Sequence, residues 1–191
     1  MDLIKSINAG ICVSIGCKIY LSCENKYIGA LLFSIGLIAI LILDFNLFTG
    51  KVCYISSYED ILNLKTILIG NAIGCIFFGI TFPTEAAQTL CLLKLQNNLF
   101  DIFIKAFYCN ILIYIAVESY KRENTLLSTI FCIPVFILSG YEHSIADITY
   151  FVMARSFSFE SLLFILTVIF GNFTSGILIS YLQNQKFYDK I

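Results

Sequence analysis

Residues 140–147, GYEHSIAD, put three ionisable side chains, Glu142, His143 and Asp147, into an otherwise apolar run. LLSTIFCIPVFIL (126–138) precedes them and ITYFVMA (148–154) follows, and His143 is the only histidine among 191 residues. A second interruption, DFNLFTGK at 44–51, follows the apolar run LIAILIL (37–43), after which VCYIS resumes. Each contains a glycine, Gly50 or Gly140, together with polar side chains. Lipid cannot satisfy free backbone N–H and C=O groups. Irregular backbone at membrane depth is therefore tolerated only where protein buries it or where it lines a cavity.

The composition supplies the membrane. The chain is 59% hydrophobic and 13% charged, with a mean hydropathy of +0.87. Soluble domains carry about 25% charge, so there is too little polar surface here to face water on all sides. A net charge of −1 and the absence of a basic stripe argue against nucleic acid as a partner. Eight cysteines lie mostly within apolar runs, without CxxC pairs or histidines at zinc spacing, and read as small buried hydrophobes rather than metal ligands or a disulfide framework. The N-terminal stretch MDLIKSINAGICVSIG lacks a small-residue cleavage site and is expected to be a retained first helix.

Six stretches approach the roughly 20 residues needed to cross a bilayer: about 3–23, 27–50, 61–82, 99–119, 125–152 and 160–182. The joints between them are SCENK, SSYED, TFPTEAAQ, SYKREN and RSFSFE. Lys5, Lys51, Lys65, Lys121, Arg122, Lys186 and Lys190 fall on the side of the termini, and Lys18, Lys26, Lys94, Lys105 and Arg155 on the other. Basic loops stay inside, so both termini are expected in the cytoplasm, with the chain in the plasma (inner) membrane. The two breaks fall in the second segment of each half, about 1–82 and 99–185. The third segment of each half carries a Gly-Asn pair, in IGNAIG (69–74) and FGNFTSG (170–176). Paired breaks in matching segments are the mark of an inverted-repeat channel or transporter.

In this order, FSIGL (33–37), LFTG (47–50), GN (70–71), Lys94, CNILIYIAV (109–117), GYEHSIAD and GN (171–172) resemble the formate/nitrite transporter family of formate, nitrite and hydrosulfide channels. The resemblance covers nearly the whole chain. It implies one all-α membrane domain of six transmembrane helices over 1–191, with an aquaporin-like fold, helices 2 and 5 interrupted, and five protomers in a ring, each with its own pore. By position, His143 is the central pore histidine, Phe33, Leu37, Phe48 and Phe136 form the constriction, and Thr49 approaches the histidine. Lys94 and Asn110 set the field and hydrogen bonding around the anion, and Glu142 and Asp147 support the histidine and its loop. Partners are then small monovalent anions, protons and lipid.

Other readings stay open for single residues: Lys94 as a snorkelling surface lysine, Asn110 as helix–helix glue, the phenylalanines as lipid-facing or core residues. Asp147 stands where the family usually has Asn, Asn46 where it has an acid, and Lys51 where it has Asn; Asp147 is expected to favour protonated His143 and Lys51 to oppose it. The chain is also short for the family. Against the anion channel stand a water or glycerol pore, which lacks an Asn-Pro-Ala signature here, and a divergent paralogue without transport. A membrane enzyme using His143 with Cys109 or Glu142 has no second histidine, phosphate loop or metal cluster behind it, so neither enzyme activity nor a cofactor is expected.

Overall fold

The computed structural model describes residues 3–188, with side chains to residue 183; Met1, Asp2 and residues 189–191, including Lys190, lie outside the described residues. Among the described residues nine α-helices follow one another: α1 (Leu3–Ser22), α2 (Lys26–Ile42), α3 (Phe48–Lys51), α4 (Tyr58–Thr81), α5 (Glu85–Leu95), α6 (Leu99–Glu123), α7 (Leu127–Leu138), α8 (Ser144–Met153) and α9 (Phe159–Tyr188). A short 3₁₀ turn, Val52–Tyr54, extends α3. Of these helices α1, α4, α6 and α9 are long and apolar enough to cross a membrane, whereas α2, α7 and α8 are shorter apolar helices.

Helix ends follow local chemistry. Ser57 and Asp60 form a capping box at the start of α4. Asn98 caps α6 through the Asp101 N–H. The joint TFPTEAAQ is not a plain connection: its second half opens α5, an 11-residue helix with Lys94 in its last turn.

The two halves repeat one packing pattern. α1 lies against α4 and α2, as α6 lies against α9 and α7, and α2 meets α7 at the centre. The short helices cross over: α8 packs on α4, and the turn after α3 packs on α9. The glycines of the Gly-Asn pairs bring α4 close to α1 and α9 close to α6. A Cβ on Gly70 would stand 2.5 Å from the Ser6 Cβ, and one on Gly171 2.7 Å from the Ala106 Cβ. Gly10 and Gly74 leave still less room, since a Cβ on either would fall 2.2 Å from a carbonyl oxygen of the facing helix.

Each asparagine then holds a break. Asn71 Nδ2 donates to the Ser6 and Asn46 carbonyls at 2.7 and 2.8 Å, and its Oδ1 accepts from the Phe48 N–H at 2.9 Å. Asn172 Nδ2 donates to the Ala106 and Glu142 carbonyls at 2.7 and 3.2 Å, and its Oδ1 accepts from the Ser144 N–H at 2.9 Å. Both side chains are fully buried. Each thus satisfies the first N–H of a short helix and a carbonyl that the break leaves without a helical partner.

Candidate functional site

The break 139–143 ends α7 with Gly140 at φ +65° and starts α8 with His143 as its N-cap. His143 Nδ1 accepts the Ala146 N–H at 3.2 Å, which fixes the ring and places its exchangeable proton on Nε2. Nε2 lies 2.9 Å from Thr49 Oγ1 in the first turn of α3. This contact joins the two breaks, 94 residues apart in sequence, through the starts of both short helices. The Phe136 ring stacks on the imidazole at 5.8 Å between centroids, and Phe33 meets Phe136 edge-on at 6.0 Å. Phe33, Leu37, Phe48 and Phe136 are all buried, at 3–4% exposure, so none faces lipid.

Cavities lie on both sides of this plug. One, about 240 Å³, is lined by Tyr20, Lys94, Lys105, Phe136, Glu142, His143 and Asp147 among others. The other, about 110 Å³, is lined by Leu37, Asp44, Leu47, Gly50, Lys51, Val117 and Lys121 among others. Lys105 and Lys121 sit on the same helix, α6, about 24 Å apart at 1.5 Å per residue. The cavities therefore open towards opposite ends of the molecule, and His143 and Leu37 lie on their inner walls.

Lys94 does not snorkel. Its side chain is 13% exposed, and its ammonium bridges Glu142 Oε2 and, at 2.9 Å, Asp147 Oδ1. Tyr150 and Phe164 place their rings about the same ammonium, each 5.8 Å from it. Asp147 is turned to Lys94 and not to the imidazole, and Lys51 lines the opposite cavity. The expected direct pull of these two residues on His143 is thus replaced by a paired cluster on one side and a separate basic mouth on the other. In that mouth the Lys121 ammonium lies 3.2 Å over the Tyr54 ring, and Asp44 pairs with Lys5 at 2.8 Å.

Asn110 is fully buried on α6 and donates to Cys53 Sγ at 3.2 Å, while its Oδ1 has no partner. Cys53 in turn donates to the Thr49 carbonyl at 3.9 Å. Asn110 thus supports the turn that carries Thr49 and keeps one free acceptor. In the sequence the two Gly-Asn pairs marked matching segments of the halves, and their hydrogen bonding to the breaks was missed. It also passed over Cys53 and Tyr150, whose apolar surroundings gave no sign of a role. Among the described residues no group of His, Cys, Asp and Glu could hold a metal ion.

The model of the formate/nitrite transporter family matches residues 2–184. The chain belongs to this family. Among formate/nitrite transporter relatives, it is 25% identical over 181 residues to the formate channel FocA of Haemophilus influenzae, covering 77% of this chain and 64% of that protein. It is 27% identical over 144 residues to the nitrite transporter NirC of Salmonella typhimurium, covering 64% of this chain and 54% of NirC. The chain thus spans less than two thirds of the length of these relatives. Its fold matches a pentameric formate channel with formate bound at a TM-score of 0.84 and 22% identity, over 97% of this chain and 96% of the other. It also matches an FNT family ion channel at a TM-score of 0.81 and 22% identity, over 96% of this chain and 87% of the other.

Proposed function

We propose that the protein is a passive channel or proton-coupled transporter for a small monovalent anion of the formate, nitrite or hydrosulfide class. In this reading α2 with α3, and α7 with α8, are the interrupted second and fifth of six spans. The two halves are inverted repeats of one aquaporin-like channel domain. Five copies form the ring, as in the formate channel whose fold it shares, and each copy has its own path. The termini face the cytoplasm across the plasma membrane, and lipid covers the exposed apolar faces.

The observation that carries this reading is the Thr49–His143 contact, walled by Phe33 and Phe136 and set between two cavities. Moving an ion out of water into an apolar passage is costly unless hydrogen bonds replace the lost hydration. The Nε2–H of His143 and the hydroxyl of Thr49 are the donors available at that point. An anion that takes the place of their mutual hydrogen bond meets both at once. A hydrogen bond suffices for this. Full proton transfer from the ring needs a proton to arrive on Nδ1, which displaces the Ala146 N–H and removes the side-chain cap of α8.

Purified protein in liposomes tests the reading by formate and nitrite efflux. The wild-type chain should carry flux well above protein-free vesicles, and His143→Ala should reduce it at least tenfold, about the least expected from losing a positioned donor. Flux unchanged in His143→Ala sinks the mechanism. Flux of water without either anion moves the protein to the neutral-solute class.

A further inference from the structure

The Glu142–Lys94–Asp147 cluster has two carboxyl groups and one ammonium, so in fully ionised form it carries one uncompensated negative charge. Nothing within it offsets that charge. Asp147 is 1% exposed, and its Oδ2 is buried with no hydrogen-bond partner. An ionised carboxylate oxygen in that position leaves an acceptor unmet, which natural structures avoid. The other groups that face Asp147 do not repair the imbalance. On α1 they are Cys17 and Tyr20, on α5 Cys91, on α6 Cys109, and on α8 Tyr150 and the cap His143. α9 contributes the ring of Phe164 to the cluster. From α3, Thr49 is engaged with His143, while Lys51 lines the far cavity. Lys105 lines the near cavity with its ammonium on Asn97 Oδ1 at 2.6 Å, and among the described residues it forms no ion pair with either carboxyl group. One proton on Asp147 repairs both defects: it balances Lys94 against Glu142 alone, and it gives the carboxyl a hydrogen to donate towards Glu142, which faces it. Because both carboxyl groups line the 240 Å³ cavity, that proton can come from cavity water.

We propose that Asp147 is a proton-binding site, and that its proton sets whether the adjoining cavity admits an anion. With the proton in place the cluster is neutral overall and the Lys94 ammonium can attract the anion. Without it, the cluster turns net negative next to the path and repels the same anion. This rests on the anion-channel reading above. The dependence has one sign: flux is greatest where Asp147 is protonated and falls as pH rises through its titration.

The test measures formate flux in proteoliposomes for the wild-type chain, Asp147→Asn and Glu142→Gln, from mildly acidic to mildly alkaline pH. Asn and Gln keep the shape and remove the charge. Taking the ratio of variant to wild type at each pH cancels leakage of formic acid through the lipid. The Asp147→Asn to wild-type ratio should climb with pH by about tenfold or more, the size expected of one unscreened charge a few ångströms from the path. A ratio that stays flat across the range overturns the proposal while leaving the channel intact. Infrared spectra of the same proteins supply a reading that needs no transport. The wild type should show a protonated-carboxyl C=O band that shifts with isotope-labelled aspartate and disappears in Asp147→Asn. It should also disappear in Glu142→Gln, where Lys94 and ionised Asp147 balance each other. If no formate or nitrite moves in any protein, the anion reading fails and the spectra decide about Asp147. A wild-type spectrum without that aspartate band refutes the proton site.

Discussion

The break after α2 and the break after α7 are held by the same device and carry different chemistry. In both, a buried asparagine from the facing long helix bonds the carbonyl inside the break and the first N–H of the helix that follows. In the first, the acid Asp44 points outward, 77% exposed in its side chain, and Leu47 caps α3 without a side-chain hydrogen bond. α3 then lasts only four residues. In the second, Glu142 and Asp147 are buried, His143 caps α8 with its ring, and α8 runs for 10 buried residues. The contrast separates two jobs. The asparagines make irregular backbone tolerable in either half, whatever its side chains. Only the second break buries carboxyl groups and a histidine, while the first contributes the Thr49 hydroxyl that meets that histidine.

The largest expected effect tests the shared device. Asn71→Ala and Asn172→Ala each remove three buried hydrogen bonds and strand an N–H and the carbonyl inside the break. Each should cost on the order of 3–6 kcal/mol at about 1–2 kcal/mol per bond. Thermal unfolding in detergent should show both variants severely destabilised, to a similar degree. A protein that tolerates one loss and not the other breaks the equivalence of the halves. His143→Asn comes next, because asparagine caps helices well but lacks Nε2 and the stacked ring. It should stay folded and lose anion flux at least tenfold, whereas His143→Ala loses the cap as well, about 1 kcal/mol more. Equal melting of these two variants means that a side-chain cap at position 143 contributes nothing to stability. Gly140→Ala should lose about 1–2 kcal/mol through its positive φ alone, since the space around it is open. The smallest effect is expected for Asp44→Gly. Glycine relieves the left-handed backbone at φ 50°, and the exposed pair with Lys5 that it removes contributes at most about 1 kcal/mol. Its melting point should stay close to that of the wild type.

Both breaks were legible because a polar, glycine-bearing octet inside an apolar run does not fit an unbroken spanning helix. His143, Thr49 and the four apolar wall residues were found through the resemblance, and the structure brings His143, Thr49, Phe33 and Phe136 together. What stayed hidden was set by contacts distant in sequence. The carbonyls that Asn71 and Asn172 bond lie on helices 65 and 66 residues away, and no local pattern names them. Gly50 sits inside α3, where a Cβ would rest 3.5 Å from Val117, and Asp44 takes the left-handed conformation in the first break. TFPTEAAQ looked like a loop because Pro83 and its polar neighbours mark a turn, which they do. The helix begins just after them and lifts Lys94 into the cluster. Asp147 was recognised as unusual, yet its partner was misread: adjacency in sequence suggested the histidine, while its carboxyl pairs with Lys94, 53 residues away in sequence.

The glycine crossings of α1 with α4 and of α6 with α9 have a mechanical consequence. Where a backbone oxygen fills the space a methyl group would need, as Asn71 O does opposite Gly10, neither helix can slide or roll without collision. The two long pairs form a stiff frame. On the channel reading proposed above, opening and closing then fall to what the frame holds, such as the Phe33 and Phe136 rings.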